Sequence, residues 1–235
     1  MGDGLPVRFD LPVTRIDHGD RVLRIETTAG TIETDLAVIA VPTPVLASGA
    51  LALSPALPDK QEAAGALPFG LANEASRRGA RGRIARGGSA SARKSVSGDT
   101  GSYRLLPFGF PVLEAFLGGA VAEALERAGS GATTAFAIEE LVHLLGKHGR
   151  GRLSPLAETG WRGTPWIGGA YPYARVGARS ARAMLAAPAD ERLFFAGEAT
   201  SPYDFTTAHG AWTSGLVAGE AALAALGADG RLPAR

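Results

Sequence analysis

The chain has 235 residues, 46% of them hydrophobic, with 24 Lys and Arg against 23 Asp and Glu for a formal charge of +1. Such a hydrophobic share excludes wholesale disorder, the length allows one large domain or two small ones, and the charge balance argues against a dedicated nucleic-acid binder. Cysteine is absent, which removes disulfides, thiolate metal sites and a Cys nucleophile.

The first residues, MGDGLPVRFD, lack the basic start and apolar run of a signal peptide, so a cytoplasmic protein is expected. PVTRID, RVLRIETT and TIETDLAVIAV follow as predicted strands, rich in Val, Ile and Thr and separated by His18-Gly19-Asp20 and Ala29-Gly30. Alternation in the first puts Val13, Arg15 and Asp17 on one face and Thr14 and Ile16 on the other. LAVIAV is a short continuous apolar run, the pattern of a strand buried on both faces. The longest stretch without Asp, Glu, Lys or Arg runs from Leu36 to Pro58 and holds Pro42, Pro44, Pro55 and Pro58, which excludes a membrane helix there. A helix is predicted to start at Pro58-Asp59.

Residues 75–98 carry Arg77, Arg78, Arg81, Arg83, Arg86, Arg93 and Lys94 and no acid. The other 211 residues hold 17 basic and 23 acidic side chains, a formal −6. Neither helical nor strand periodicity is evident in this stretch, so an irregular basic loop is expected. Without interleaved aromatics it does not read as a nucleic-acid site.

TGSYRLLPFGFPVLEAFLGG predicts a strand pair turning at Pro107–Gly109. AVAEALERAG and AFAIEELVHLLGKHG predict amphipathic helices, the second with Ile138, Leu141, Val142 and Leu145 on one stripe. Gly129 and Gly146 stand where C-caps belong. RLFFAGE is a strand, followed by a loop and a helix from about Thr206 to Leu226, on which Ala211, Gly215, Gly219 and Ala222 form a stripe of small residues. No GxGxxG, Walker A loop or GxSxG elbow occurs, and His18, His143, His148 and His209 make no metal pattern.

The strand–loop–helix at the end is the arrangement with chemical meaning. A helix N-terminus offers free N–H groups and the positive end of the dipole, suited to a phosphate or an electron-rich ring. Thr206-Thr207 add donors, and Glu198 at the strand's end can accept from ligand hydroxyls. A strand–helix unit packed tightly for structural reasons fits the same pattern.

FFAGEATSPYDFTTAHGAWTSGLVAGEAAL resembles the C-terminal flavin signature of the FAD-dependent amine oxidases, the monoamine and polyamine oxidase family. LPVTRID, TDLAVIAVPTPVL, LSPALPDKQEAAGALPFGL and WRGTPWIGGAYPYARVG match in the family's order, so the resemblance covers residues 5–73 and 99–227. It stops near Glu74 and resumes near Asp99 with the spacing preserved, as two compensating frameshifts would leave it. The resemblance implies a mixed α/β fold: a partial FAD-binding lobe from 1–45 and 187–227, a mixed-sheet and helical substrate lobe over 46–186, and a tail at 228–235.

By the same resemblance, Val13 matches the position whose main chain contacts the adenine of FAD. Gly197 and Glu198 fall at the cofactor, Glu198 matching the acid beside the ribityl–pyrophosphate part, and Thr207-Ala208 match the helix start under the isoalloxazine. Tyr171 matches an aromatic that shapes the amine site, and Trp161 a Trp lining it. Ala170 stands where some relatives attach flavin through Cys, so FAD would be non-covalent. Glu74 replaces a Lys that holds a water against flavin N5, and Thr207 replaces the second aromatic of the substrate sandwich. The implied reaction oxidises an amine by hydride transfer to FAD, with O2 as final acceptor. The family's GxGxxG unit is not in this sequence, so the resemblance also allows a fragment that is inactive alone or pairs with a separate Gly-rich chain. A non-amine flavoprotein, such as a desaturase, is the other alternative.

Overall fold

A computed structural model describes residues 4–79, 90–93, 100–146 and 153–227. The fold is mixed α/β, and the chain divides into two compact units, Met1–Pro68 with Pro172–Arg235 and Phe69–Tyr171.

The first unit begins with an antiparallel meander of Val13–Asp17 (β1), Leu23–Thr27 (β2) and Gly30–Thr34 (β3). Val13 faces Thr27 but Arg15 faces Glu26, so Thr14 is an extra residue that bulges β1. This breaks the expected alternation: Ile16 enters the core while Thr14, two residues away, is exposed. Ala37–Ile39 (β4) leaves the meander. Here too the expectation is corrected, because only Ile39 is buried and Val38 remains 46% exposed. Among the described residues its sheet has two strands, and a face left uncovered in so small a sheet meets solvent.

The Pro-punctuated connector is more ordered than its composition suggests. Thr43–Ala47 (α1) starts behind Pro42, and Ala52–Ser54 (β5) joins the meander parallel to β1. Pro58–Gly65 (α2) starts where expected, with Pro at its first position, where the missing N–H has no intrahelical partner to lose. Ile16, Leu23, Ile39, Val45, Leu51 and Leu67 are among the residues that close this unit's core.

In the second unit, Ala72–Gly79 (β6) and Ala90–Arg93 (β7) are strands inside the stretch expected to be an irregular loop. Residues 80–89 and 94–98 of that stretch lie outside the described residues. The period-two signal of β6 is masked because the alternate buried positions Asn73, Ala75 and Arg77 include only one apolar residue and Ala72 beside them is buried too. Arg77 donates from Nη2 to Leu153 O at 2.6 Å, and burial pushes its guanidinium below the usual arginine range. Ser102–Leu105 (β8), a 3₁₀ turn at Pro107–Gly109 and Val112–Gly118 (β9) make the expected strand pair.

Gly119–Ala128 (α3) and Ala132–Leu145 (α4) end on Gly129 and Gly146, both at positive φ. Leu153–Glu158 (β10) completes an antiparallel sheet of order β10-β6-β9-β8-β7. The buried residues of α4 are Thr133, Ala137, Glu140 and Leu141, so of the expected stripe Leu141 is buried while Ile138 and Val142 are half-buried, and the side chain of Leu145 lies outside the described residues. The helix turns this face inward because Glu140 accepts from Thr100 Oγ1 at 2.8 Å, Gly101 N at 2.8 Å and Tyr103 Oη at 2.5 Å. Burial and that carboxylate push the Tyr103 phenol well above its usual range. Where this unit enters and leaves the chain, Gly70 N donates to Tyr171 O and Ala170 N to Gly70 O, both at 2.9 Å.

Back in the first unit, Ala181–Ala186 (α5) is capped by the buried Lys60, whose Nζ donates to Met184 O, Leu185 O and Ala187 O. Leu193–Phe195 (β11) pairs in parallel with β4, and Ala208–Leu226 (α6) packs Ala218 and Ala222 onto Phe194 and Ala196. The expected close-packing stripe is thus only partly the contact face. A Cβ at Gly215 or Gly219 would meet no heavy atom within 4 Å. The outer face of α6 carries exposed Trp212, Leu216, Val217 and Leu223.

Candidate functional site

The end of β11 leads into the group that the sequence singles out. Gly197 turns the chain at φ +114°, a left-handed value that favours glycine, and a Cβ there would meet open space. Its N–H donates to Ser214 Oγ of α6 at 2.9 Å, tying strand end to helix. A 3₁₀ turn, Glu198–Thr200, follows.

Glu198 then reaches across the loop and accepts from Thr206 N at 2.8 Å. Thr206 sits at φ +65°, so this threonine is held in a backbone region that costs energy outside glycine. Thr207 is the N-cap of α6, its Oγ1 accepting from Gly210 N at 3.0 Å and donating to Asp204 O at 2.5 Å. Ala208 is the first helical residue, so α6 begins later than the expected Thr206. Gly210 admits the loop: a Cβ would lie 2.0 Å from Asp204 O.

Arg182 of α5 supports this loop from beneath and was not singled out by the sequence. It is buried, donates to Ala199 O at 2.9 Å and Pro172 O at 3.4 Å, and places its guanidinium 4.1 Å from the Phe205 ring centroid. Burial raises the Glu198 carboxyl above its ordinary value, against the Thr206 amide and the Arg182 charge, which lower it. Desolvation lowers Arg182 in turn, and Glu198 opposes that. Gly197, Glu198, Thr207 and Ala208 are therefore brought together. Val13 is not part of this group: it opens β1 on the four-stranded sheet and packs against the main core.

Trp161 and Tyr171 belong to the second unit. Tyr171 is fixed by its carbonyl at Gly70, and Trp161 N donates to Asn73 Oδ1 at 3.4 Å, so both are tied to the start of β6. The two residues are 37% and 40% exposed, respectively. Gly169, two residues before Tyr171, has φ +156°, and a Cβ would lie 2.6 Å from Phe69 Cβ. Only glycine permits that approach. Glu74 is exposed, with its backbone N and O paired to Thr159 Oγ1 and Thr159 N, each at 2.9 Å.

Glu126 of α3 lies behind Trp161. Its Oε2 accepts from Asn73 Nδ2 at 2.8 Å and its Oε1 from Gly163 N at 2.7 Å. Burial pushes this carboxyl up, but the bonds from Asn73, Gly163 and Arg162 outweigh it and hold the group below its usual value. Sequence patterns gave no sign of Asn73 or Glu126, because their partners are remote in the chain. Among the described residues no cluster of three or more His, Asp or Glu could hold a metal ion, and no helix is long and apolar enough to cross a membrane.

Comparison with known proteins bears on these groups. A family model described as flavin containing amine oxidoreductase matches residues 1–223. Lysine-specific histone demethylase 1 homolog 2 of Oryza sativa subsp. japonica is 31% identical over 226 residues, covering 91% of this chain and 30% of that protein. Polyamine oxidase 2 of Arabidopsis thaliana is 32% identical over 236 residues, covering 94% of this chain and 45% of that protein. A solved structure of wild-type putrescine oxidase bound to putrescine matches with a TM-score of 0.74 at 17% identity, over 89% of this chain and 48% of that one. The chain thus spans less than half the length of these relatives.

Proposed function

The chain belongs to the flavin-containing amine oxidoreductase family, and from that premise we propose that its first unit holds non-covalent FAD and its second unit lines an amine site. Family membership implies a flavin, and the residues at the start of α6 fit one. The observation that carries the reading is the Glu198–Thr206–Thr207 loop, where a half-buried carboxylate is pinned beside a capped helix N-terminus. Space is open in front of Gly197 and Gly215, positions where a Cβ would meet no heavy atom within 4 Å.

In this reading Glu198 accepts from ribityl hydroxyls, and Thr207 and Ala208 present the first turn of α6 to the ring system, where N–H groups and the dipole favour electron density. Val13 offers main-chain atoms to the adenine. Cysteine is absent from the chain, so no thioether to the flavin can form at Ala170. Bound flavin supplies the hydride acceptor for the carbon beside the amine nitrogen and passes the electrons to O2. Tyr171 and Trp161 orient the amine and exclude water from it. By the resemblance Thr207 stands in the place of the second substrate aromatic, so a preference for flat aromatic amines is not expected.

No GxGxxG is present in these 235 residues, and the pyrophosphate of FAD is cradled in such folds by a Gly-rich turn at a helix N-terminus. Tight FAD binding is therefore proposed to need that unit, on the same polypeptide or from a separate chain. The test is purification with FAD, alone and co-expressed with a Gly-rich βαβ partner, followed by flavin fluorescence and peroxide release from mono- and polyamines. Flavin uptake with peroxide formation is expected when the unit is supplied. A protein that remains colourless and peroxide-silent in both formats overturns the reading, and flavin uptake with turnover of a non-amine only would favour the desaturase-like alternative.

A further inference from the structure

We propose that Glu126 is a positioning residue: with Asn73 it fixes the Thr159–Thr164 turn, and so sets the orientation of Trp161 and the selectivity for the amine. The selectivity part rests on the reading of Trp161 as a wall of the amine site. The hold on Trp161 rests on geometry alone.

The turn is secured on both sides of the indole. Before it, Thr159 pairs through N and Oγ1 with the Glu74 backbone, both at 2.9 Å, and its Oγ1 lies 3.4 Å from Asn73 Oδ1. After it, Gly163 N donates to Glu126 Oε1 at 2.7 Å, and the Arg162 amide also donates to this carboxylate. Within the turn, Thr164 Oγ1 donates to Gly160 O at 2.7 Å. Asn73 joins the two sides, its amide donating to Glu126 at 2.8 Å and its carbonyl accepting from Trp161 N at 3.4 Å.

Asn73 is fully buried and Glu126 partly so, whereas Trp161 is 37% exposed. The Trp161 amide itself meets the neutral Asn73 carbonyl, and the charge-assisted bonds, short and about twice as strong as neutral ones, hold Asn73 and the following Arg162 and Gly163 amides, so the indole's main chain is fixed through its neighbours. A carboxylate suits this task because it accepts from several donors at once. Glutamine at position 126 puts an amide NH2 where one of the two carboxylate oxygens stood, so either Gly163 N or Asn73 Nδ2 then faces a donor instead of an acceptor.

The chain has three tryptophans, so a W166F/W212F background makes Trp161 the sole emitter. In that background E126A is expected to shift the Trp161 emission to the red and raise its quenching by acrylamide, and E126Q to do so less. E126Q keeps the side-chain volume and decides the question if E126A does not fold. A merely structural role would lower the urea midpoint and leave native-state emission and quenching unchanged, and that result overturns the proposal. In the chain loaded with flavin and supplied with a Gly-rich unit, E126Q is expected to raise KM for the amine several-fold with kcat nearly unchanged, because the bond it loses positions Trp161 and does not touch the amine. Altered emission with an unaltered KM overturns the selectivity part. Absence of turnover in the flavin-loaded parent overturns the amine reading, while the emission measurement still decides whether Glu126 holds Trp161.

Discussion

The guanidinium of Arg182 lies 4.1 Å from the centroid of the Phe205 ring, while the same side chain donates to Ala199 O and Pro172 O. One buried residue thus bonds the turn after Glu198 and stacks under the loop before α6. Replacing it with Ala leaves two carbonyls without their donor and removes the ring's support. R182A is expected to cost about 2–4 kcal/mol in urea unfolding at unchanged m-value. F205A, which removes only the half-exposed ring, should cost about 1 kcal/mol. Equal effects would mean that the stacking, rather than the carbonyl bonds, dominates.

Glu198 gives the loop a pH signature. Its folded-state carboxyl is raised by burial, with the Thr206 amide and Arg182 opposing, so the folded protein holds this proton to higher pH than the unfolded chain does. The contribution is therefore full below the unfolded carboxyl value and is lost as pH rises through the folded one. E198Q is expected to flatten the stability profile in the window just above the ordinary glutamate range and to be the more stable protein at neutral pH. Its flavin affinity should fall. Thermal melts across pH 4–7 in about half-unit steps, with flavin titrations at neutral pH, check both outcomes.

Gly210 and Gly215 separate packing from ligand space on one helix. A methyl at Gly210 collides with the Asp204 carbonyl, at 2.0 Å, whereas one at Gly215 meets nothing within 4 Å. G210A should therefore unfold the first turn of α6 and cost about 3 kcal/mol or more. G215A should stabilise the flavin-free protein by up to about 1 kcal/mol through helix propensity. If the proposed FAD lies along that side of α6, G215A also weakens its uptake. Unchanged uptake would place the cofactor elsewhere.

Tyr103, Gly101 and Glu140 form a coupled cluster. A Cβ on Gly101 would stand 3.0 Å from Tyr103 Oη, which already donates to Glu140 at 2.5 Å. Y103F, which removes one of the carboxylate's donors, should cost about 1–2 kcal/mol. G101A should cost a similar amount in the native background and only somewhat less beside Y103F, where the 3.0 Å oxygen is gone but ring carbons at 3.1 and 3.3 Å remain. A double-mutant cycle by chemical denaturation measures the coupling, and strict additivity would refute it.

Local signals made much of the fold legible in the sequence. Pro107–Gly109 marked the hairpin, Gly129 and Gly146 marked helix ends, and Pro58-Asp59 marked a helix start, because each is a short-range conformational preference. What stayed hidden needed long-range partners. Strand β6 was obscured because Arg77 holds a core position through Leu153, and the face of α4 was read only in part, at Leu141, because Glu140 is also drawn inward by Tyr103. The bulge at Thr14 is set by pairing with β2 and leaves no local mark. Of the candidate site, the α6 start was readable from Glu198 and Thr207. Arg182, Asn73 and Glu126 were not, since their roles appear only once their hydrogen-bond partners are brought alongside.

The pairing of Gly70 with Ala170 and Tyr171 has a consequence for how such a protein can diverge. A segment whose entrance and exit are clasped together behaves as a cassette. Residues within 69–171 can be lengthened, shortened or recombined without rethreading β5 or α5, which belong to the flanking chain. Changes of length inside the cassette therefore leave the sequence that builds the turn at Glu198 untouched.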